Sequence, residues 1–188
     1  GQSVATGDLT ENDSIGQLMT AATNGTLAVT LDTTAAYSIA AQGEIVELAR
    51  IKYSTAQEEV SVKQITLVMS SAASNTPTDL VGQQVTLWDG VNPVGTVSFP
   101  GSEAAGVANR ATGTISNFVV PKDGSKVLTV KGTIAGISVS GPRTASGDLV
   151  IVDYDGGGGL TSNYGTGVPS GQTISPTSGV TSSTGVRM

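Results

Sequence analysis

The stretch KVLTVKGTI, residues 126–134, decides the fold. Leu128, Val130 and Ile134 fall on one side of an extended chain, and Thr129, Lys131 and Thr133 on the other. Side chains alternate faces along a strand, so this spacing gives one apolar face and one wet face. The turn residues Lys122-Asp123-Gly124-Ser125 precede it, and Pro121 stops the predicted strand Thr114–Val120 before that.

Working outward, two longer runs carry the same alternation with a slip in it. In Ile45–Tyr53 (IVELARIKY), Val46 and Leu48 share one face, while Ala49, Ile51 and Tyr53 share the other. In Val60–Met69, Val60 and Val62 alternate, Lys63-Gln64 interrupts, and Ile65, Leu67 and Met69 resume one step out of phase. A phase slip inside a strand predicts a β-bulge or a local twist. Two neighbouring strands with such slips suit a strongly coiled sandwich.

The remaining runs complete an all-β pattern. Thr26–Leu31 alternates through Leu27, Val29 and Leu31. Gln83–Trp88 and Val94–Phe99 flank Asp89-Gly90, a hairpin signal. Asp148–Tyr154 is apolar on both faces, which predicts a central or covered strand. Residues 70–79 and 101–112 read as polar or small-residue loops. About eight short strands with turns at regular spacing predict an immunoglobulin-like or jelly-roll β-sandwich with extended terminal arms. Three segments follow: an N-terminal arm at 1–24, a sandwich core at 25–155, and a Gly/Ser/Thr-rich C-terminal segment at 156–188. Within the last, Thr173-Ile174, Val180 and Val186 are candidate edge strands. For the first, a short helix capped by Ser14 and a flexible arm both stay open.

Composition narrows the function. The chain has 188 residues, of which 13% are charged and 4% aromatic. It has no Cys and no His. Thiol catalysis, thiolate metal sites and Ser-His-Asp or Cys-His chemistry are therefore excluded. A net charge of -6 disfavours nucleic acid, since neutralising phosphates is what drives that binding. It also disfavours anionic membrane surfaces, and the sequence holds no apolar run long enough to span a bilayer. A start at Gly1 leads us to expect a processed mature form.

The segments GTLAVTLDTT (25–34), EIVELARIKYSTAQEEVSVKQITLVMS (44–70), VTLWDGVNPVGTVSF (85–99) and FVVPKDGSKVLTVKGTIAG (118–136) stand in a familiar order. Over residues 25–155 this arrangement resembles secreted prokaryotic β-sandwich surface proteins, among them those of uncultivated bacteria. In style it is also similar to filament subunits that assemble by donor-strand exchange. The resemblance implies a surface role as stalk, pilus or layer subunit, and it implies no catalytic residues.

Candidate chemistry is sparse. Asp153 and Asp155, running into Gly156–Gly159, are candidate calcium ligands, because alternating carboxylates supply two hard oxygens. The EF-hand spacing is absent, and a plain strand end running into a glycine turn reads equally well. Calcium is the one cofactor considered. Glu58-Glu59 and Glu44/Glu47 are carboxylates of the kind a glycosidase pairs, but almost any β-protein offers as much. Trp88, Tyr37, Tyr53, Tyr154 and Tyr164 are candidate sugar-stacking aromatics or plain packing residues. Asn12 and Asn24 open short glycosylation sequons.

An open sheet edge accepts a further strand, and a head-to-tail contact that fails to close builds a filament. We therefore expect a non-enzymatic subunit of an extracellular filament or surface layer, a homopolymer joined by β-strand addition. Val4, Leu9, Ile15 and Leu18 of the N-terminal arm are candidate pocket-filling positions, and residues 171–188 form the other candidate donor. The rival expectation is a monomeric adhesin-type module that holds a glycan or a protein partner through loops 70–82 and 100–112.

Overall fold

In a computed structural model of the chain, the described residues are 25–32, 38–69, 75–100, 108–136, 148–156, 163–177 and 186–187. In chain order their strands begin with β1 (Thr26–Leu31), β2 (Ser38–Ile39), β3 (Ile45–Ala56), β4 (Val60–Met69), β5 (Leu80–Asp89) and β6 (Asn92–Ser98). They continue with β7 (Asn109–Thr114), β8 (Val119–Val120), β9 (Ser125–Ile134) and β10 (Leu149–Val150). The last are β11 (Val152–Tyr154), β12 (Tyr164–Gly167), β13 (Thr173–Ile174) and β14 (Val186–Arg187). A single 3-10 turn, Pro77–Asp79, leads into β5. Among the described residues no helix is long and apolar enough to cross a membrane.

These strands form an all-β sandwich. The first sheet runs β1-β3-β9-β5-β6, antiparallel throughout. The second is built on β4: β7 and then β8 line one of its edges, β11 and β12 the other, and β13 extends β12. A small third sheet places β14 between β10, antiparallel to it, and β2, parallel to it.

Both phase slips in the sequence are bulges in the structure. The β3–β9 register jumps from Glu47↔Lys131 to Ala49↔Val130, leaving Leu48 as the extra residue. The β4–β12 register jumps from Gln64↔Tyr164 to Val62↔Gly165, leaving Lys63 extra. Each bulge lets the apolar residues on both of its sides face the core, so Val46, Leu48, Ala49 and Ile51 are all buried.

The inner faces meet in one core. Leu27, Leu48, Ile51, Tyr53, Leu87 and Leu128 come from the first sheet, and Ile65, Leu67, Met69, Val152 and Tyr154 from the second. Phe118 joins them from the link between β7 and β8, its ring edge-on to Tyr53 at 5.6 Å between centroids. Burying one such side chain contributes about 1.5–3 kcal/mol relative to leaving it exposed.

Three local readings differ from the structure. Residues 109–112, expected in a loop, belong to β7, which pairs with Gln64–Met69 along its whole length. Its inward positions are Asn109, Ala111 and Gly113, too small and polar to announce a strand. The predicted strand Thr114–Val120 is broken between β7 and β8, where Asn117 adopts φ +59°. The hairpin closes on Gly90–Val91, one residue beyond Asp89-Gly90, with Asp89 and Asn92 paired across it. Gly90 has φ +60°, which suits the first position of a two-residue hairpin loop.

Candidate functional site

A two-sheet sandwich has two seams where the edges of its sheets face each other, and these are where an added strand would act. At the first seam β6 meets β7. Ser116 N–H donates to Val94 O at 2.8 Å, and Gly95 bridges Ile115. The backbones approach so closely that both strands use glycine. A Cβ on Gly95 would strike Thr114 O, and one on Gly113 would lie 2.5 Å from Val97 Cγ2 and 2.7 Å from Thr96 O.

The second seam lies along β1, and the C-terminal segment closes it. β12 docks on β4 through Gly165, where a Cβ would lie 2.5 Å from Val60 Cγ1. β13 returns antiparallel to β12 and buries Ile174. The chain then crosses to the first sheet: Pro176 bridges Leu27 in parallel, and Thr177 N–H donates to Leu27 O at 3.0 Å. The segment read from sequence as a Gly/Ser/Thr-rich tail thus supplies strands to the sandwich.

One carboxylate ties this seam together. Glu58 sits in the β3–β4 turn and is buried. Its Oε1 accepts from Gly25 N–H at 2.8 Å and from the Ser170 hydroxyl at 3.0 Å, and its Oε2 accepts from Ser170 N–H at 3.3 Å. The side chain reaches across from a turn to the root of β1 and to the β12–β13 turn. Gly25 and Gly167 make room for it, since a Cβ on Gly25 would strike Glu58 Cγ and one on Gly167 would lie 2.5 Å from Oε2. The Gly25 N–H is the main cause holding this carboxyl below the usual carboxylate range. The Ser170 hydroxyl adds to it, burial opposes both, and the Ser170 N–H makes a smaller lowering contribution.

Several other acids of the sequence reading make local contacts. Glu44 accepts from Ala41 N–H at 3.0 Å, and Glu47 lies 3.9 Å from Arg50. Asp153 and Asp155 are both buried, and Asp155 carries an ion pair with the half-exposed Arg110. The guanidinium thereby occupies an oxygen that a calcium ion would use. Among the described residues no three acidic side chains gather as a metal site. Beside this pair, the buried Asn163 accepts from Thr66 N–H at 2.7 Å and donates to Asp155 O at 2.8 Å. It joins β4 to the chain beyond β11 where the ladder itself is interrupted.

Asp79, in the 3-10 turn, is fully buried. Its Oδ2 accepts from Thr76 N–H at 2.8 Å, and its Oδ1 has no hydrogen-bond partner among the described residues. Burial pushes this carboxyl up to about 6, with Asp148 adding to the rise and the Thr76 hydrogen bonds opposing it.

Among the aromatics, Tyr53 and Tyr154 are core residues, with hydroxyls that lack a partner among the described residues. Burial first, and then the neighbouring Tyr154 for Tyr53 and Asp155 for Tyr154, pushes both phenols well above their ordinary range. Trp88 is half-buried, and Lys131 Nζ lies over its ring at 4.9 Å from the centroid. Tyr37, the arm positions Val4, Leu9, Ile15 and Leu18, the sequon residues Asn12 and Asn24, and Val180 lie outside the described residues.

Sequence reasoning noted Glu58 only as half of an acidic pair, and it missed Ser170, Gly25 and Gly167 as its surroundings. Glu58 and Ser170 are 112 positions apart, and no local pattern connects them. In comparisons with known proteins, no family model, no curated protein and no solved structure matches the chain.

Proposed function

We propose that the chain is a non-catalytic structural subunit of an extracellular filament or surface layer, joined to its own copies by β-strand addition. The observation that supports this reading is the closure of the β1 seam by a late segment of the chain. Pro176 and Thr177 pair with Leu27 through backbone groups, and such pairing depends little on side-chain identity. A segment that completes a sheet within one subunit can complete the same sheet in a neighbour, and this exchange of identical elements is a low-cost route to assembly. The low charge of the chain also suits lateral association of subunits. The glycan-binding alternative gains less, because Lys131 covers a face of Trp88 that a sugar ring would need.

Negative-stain electron microscopy beside light scattering tests the reading. The purified chain should form regular fibres or sheets. If removal of residues 1–10 abolishes them while circular dichroism stays that of a folded β-protein, the N-terminal arm is the donor. If fibres persist after that deletion but an excess of a synthetic peptide covering residues 171–188 blocks them, the C-terminal segment is the donor. A chain that stays monomeric through long incubation overturns the proposal and moves attention to a binding module.

A further inference from the structure

We propose that Glu58 is a proton-operated latch: ionised, it holds the β12–β13 turn and the root of β1 together, and protonated, it releases them while the sandwich stays folded. This inference concerns a single subunit and holds whether or not the subunits assemble.

The geometry carries it. Three donors from two distant parts of the chain converge on one carboxylate: Gly25 N–H, the Ser170 hydroxyl and Ser170 N–H. A carboxylate is an acceptor only, so three converging donors match its ionised form. On protonation one oxygen becomes a donor facing donors, so at least one of these hydrogen bonds is lost or, at the Ser170 hydroxyl, reversed, and the set that holds the turn is weakened. Apart from the β4 pairing at its base (Thr166↔Ser61, Gly167↔Val60) and the Gln172 N–H bond to the Ser170 hydroxyl oxygen inside it, the turn is held by few ties. Gly167 N–H donates to Gln172 O and Gly171 N–H to Gly167 O, both internal to the turn, and Val168 N–H reaches Glu59 O at 2.9 Å. Val168 itself is half exposed, so little apolar burial anchors the turn.

The ionisable surroundings are simple. Between Asn163 and Thr177 the only titratable side chain is Tyr164, and β1 contributes none. On Glu58's own turn stands Glu59. Across from that turn, Asp123 accepts from Gln57 N–H at 2.8 Å, and Lys122 precedes it in sequence. The lowered Glu58 carboxyl agrees in sign. A group whose acidity is raised by folding contributes stability above its unfolded pKa and loses it as pH falls through the folded value. The latch is therefore closed at neutral pH and opens only as pH falls below the ordinary carboxylate range, through the lowered folded value.

Amide hydrogen exchange on the full chain, followed between pH 7 and pH 3 and corrected for intrinsic rates, tests the latch. Protection at Gly167, Val168, Ser170 and Gly171 should fall at least tenfold by pH 3, while that of Leu128 and Val130 in β9 holds. Glu58→Gln should show the open level of protection already at pH 7, and Asp123→Asn should leave the transition in place. Ser170→Ala, which removes one donor and keeps the carboxylate, should give a smaller loss if the Gln variant proves too unstable to study. Retained protection of the turn at pH 3 would overturn the proposal. So would loss of β9 protection in parallel with the turn, or disappearance of the transition in Asp123→Asn.

Discussion

The two sheets are built on different principles. In the first, β3, β9 and β5 are long strands; β3 and β9 pair over most of their length, and β5 joins β9 along Val85–Trp88, where its apolar residues alternate. In the second, only β4 is long, and four short strands are laid along its two edges. The first sheet is a set of strands that each specify themselves. The second is a template with pieces fitted to it, and those pieces rely on glycine, asparagine and single buried aromatics. The difference teaches that a strand with little apolar content can still be well placed when a neighbour supplies the edge, the register and the cover.

The comparison breaks most sharply at Phe118. It is fully buried where β7 gives way to β8, and it packs edge-on against Tyr53 of the first sheet. Phe118→Ala should cost about 3–5 kcal/mol, from lost burial plus the cavity left behind. Urea unfolding would read it. A loss below about 1 kcal/mol would mean that the second sheet collapses around the gap and is softer than its packing implies.

Asn163 probes how the pieces are held. Asn163→Ala removes the partners of Thr66 N–H and Asp155 O, two buried backbone groups. At the low end of the about 1–3 kcal/mol that one such group costs, the two together give an expected loss of about 2–3 kcal/mol, and exchange should rise at Thr66 before it rises in β9. Equal exchange in both sheets would argue that they open as one unit.

Asp79 lies where the chain passes from the second sheet to the first. Its carboxyl is raised from 3.8 to about 6 by folding. The folded state therefore holds the proton more tightly, so stability from this group is fully present below pH 4 and is lost as pH rises through 6. The shift corresponds to an upper limit of about 3 kcal/mol, and the observed change should be smaller. Subtracting the stability curve of Asp79→Asn from that of the native chain between pH 4 and 8 isolates the effect. A flat difference would show that Asp79 stays solvated.

A local effect is expected at the glycine seam. Gly95→Ala places a methyl group against Thr114 O, and the two sheets must part slightly there. Overpacking of this kind costs about 1–3 kcal/mol, and thermal unfolding should show a lowered midpoint. Gly90→Ala, in an open turn with nothing near its Cβ, is the control in which only the positive φ is strained.

Legibility followed the same division. The strands of the first sheet and β4 could be read from alternation, including the bulges at Leu48 and Lys63, because those shift the apolar phase in the sequence itself; the register shifts of β5 against β6 and β9 left no such mark. β7 could not be read: Asn109, Ala111 and Gly113 face inward with almost no apolar signal. β11 was part of a readable apolar run, yet its break from β10 at Ile151 follows from pairing with different partners. The Glu58 clamp was invisible, since its donors lie 33 and 112 residues away.

The sequence by itself determined the all-β class, the long strands, the positions of the bulges in β3 and β4 and the absence of thiol and imidazole chemistry. These depend on side-chain period and composition, which are local. Only the tertiary structure decided how the seams close, why Gly95, Gly113 and Gly165 stand where they do, and which turn Glu58 holds. Those features arise where backbones far apart in the chain come within hydrogen-bonding distance. Small residues are chosen there for the space they leave, and an amino-acid sequence does not show which neighbour needs that space.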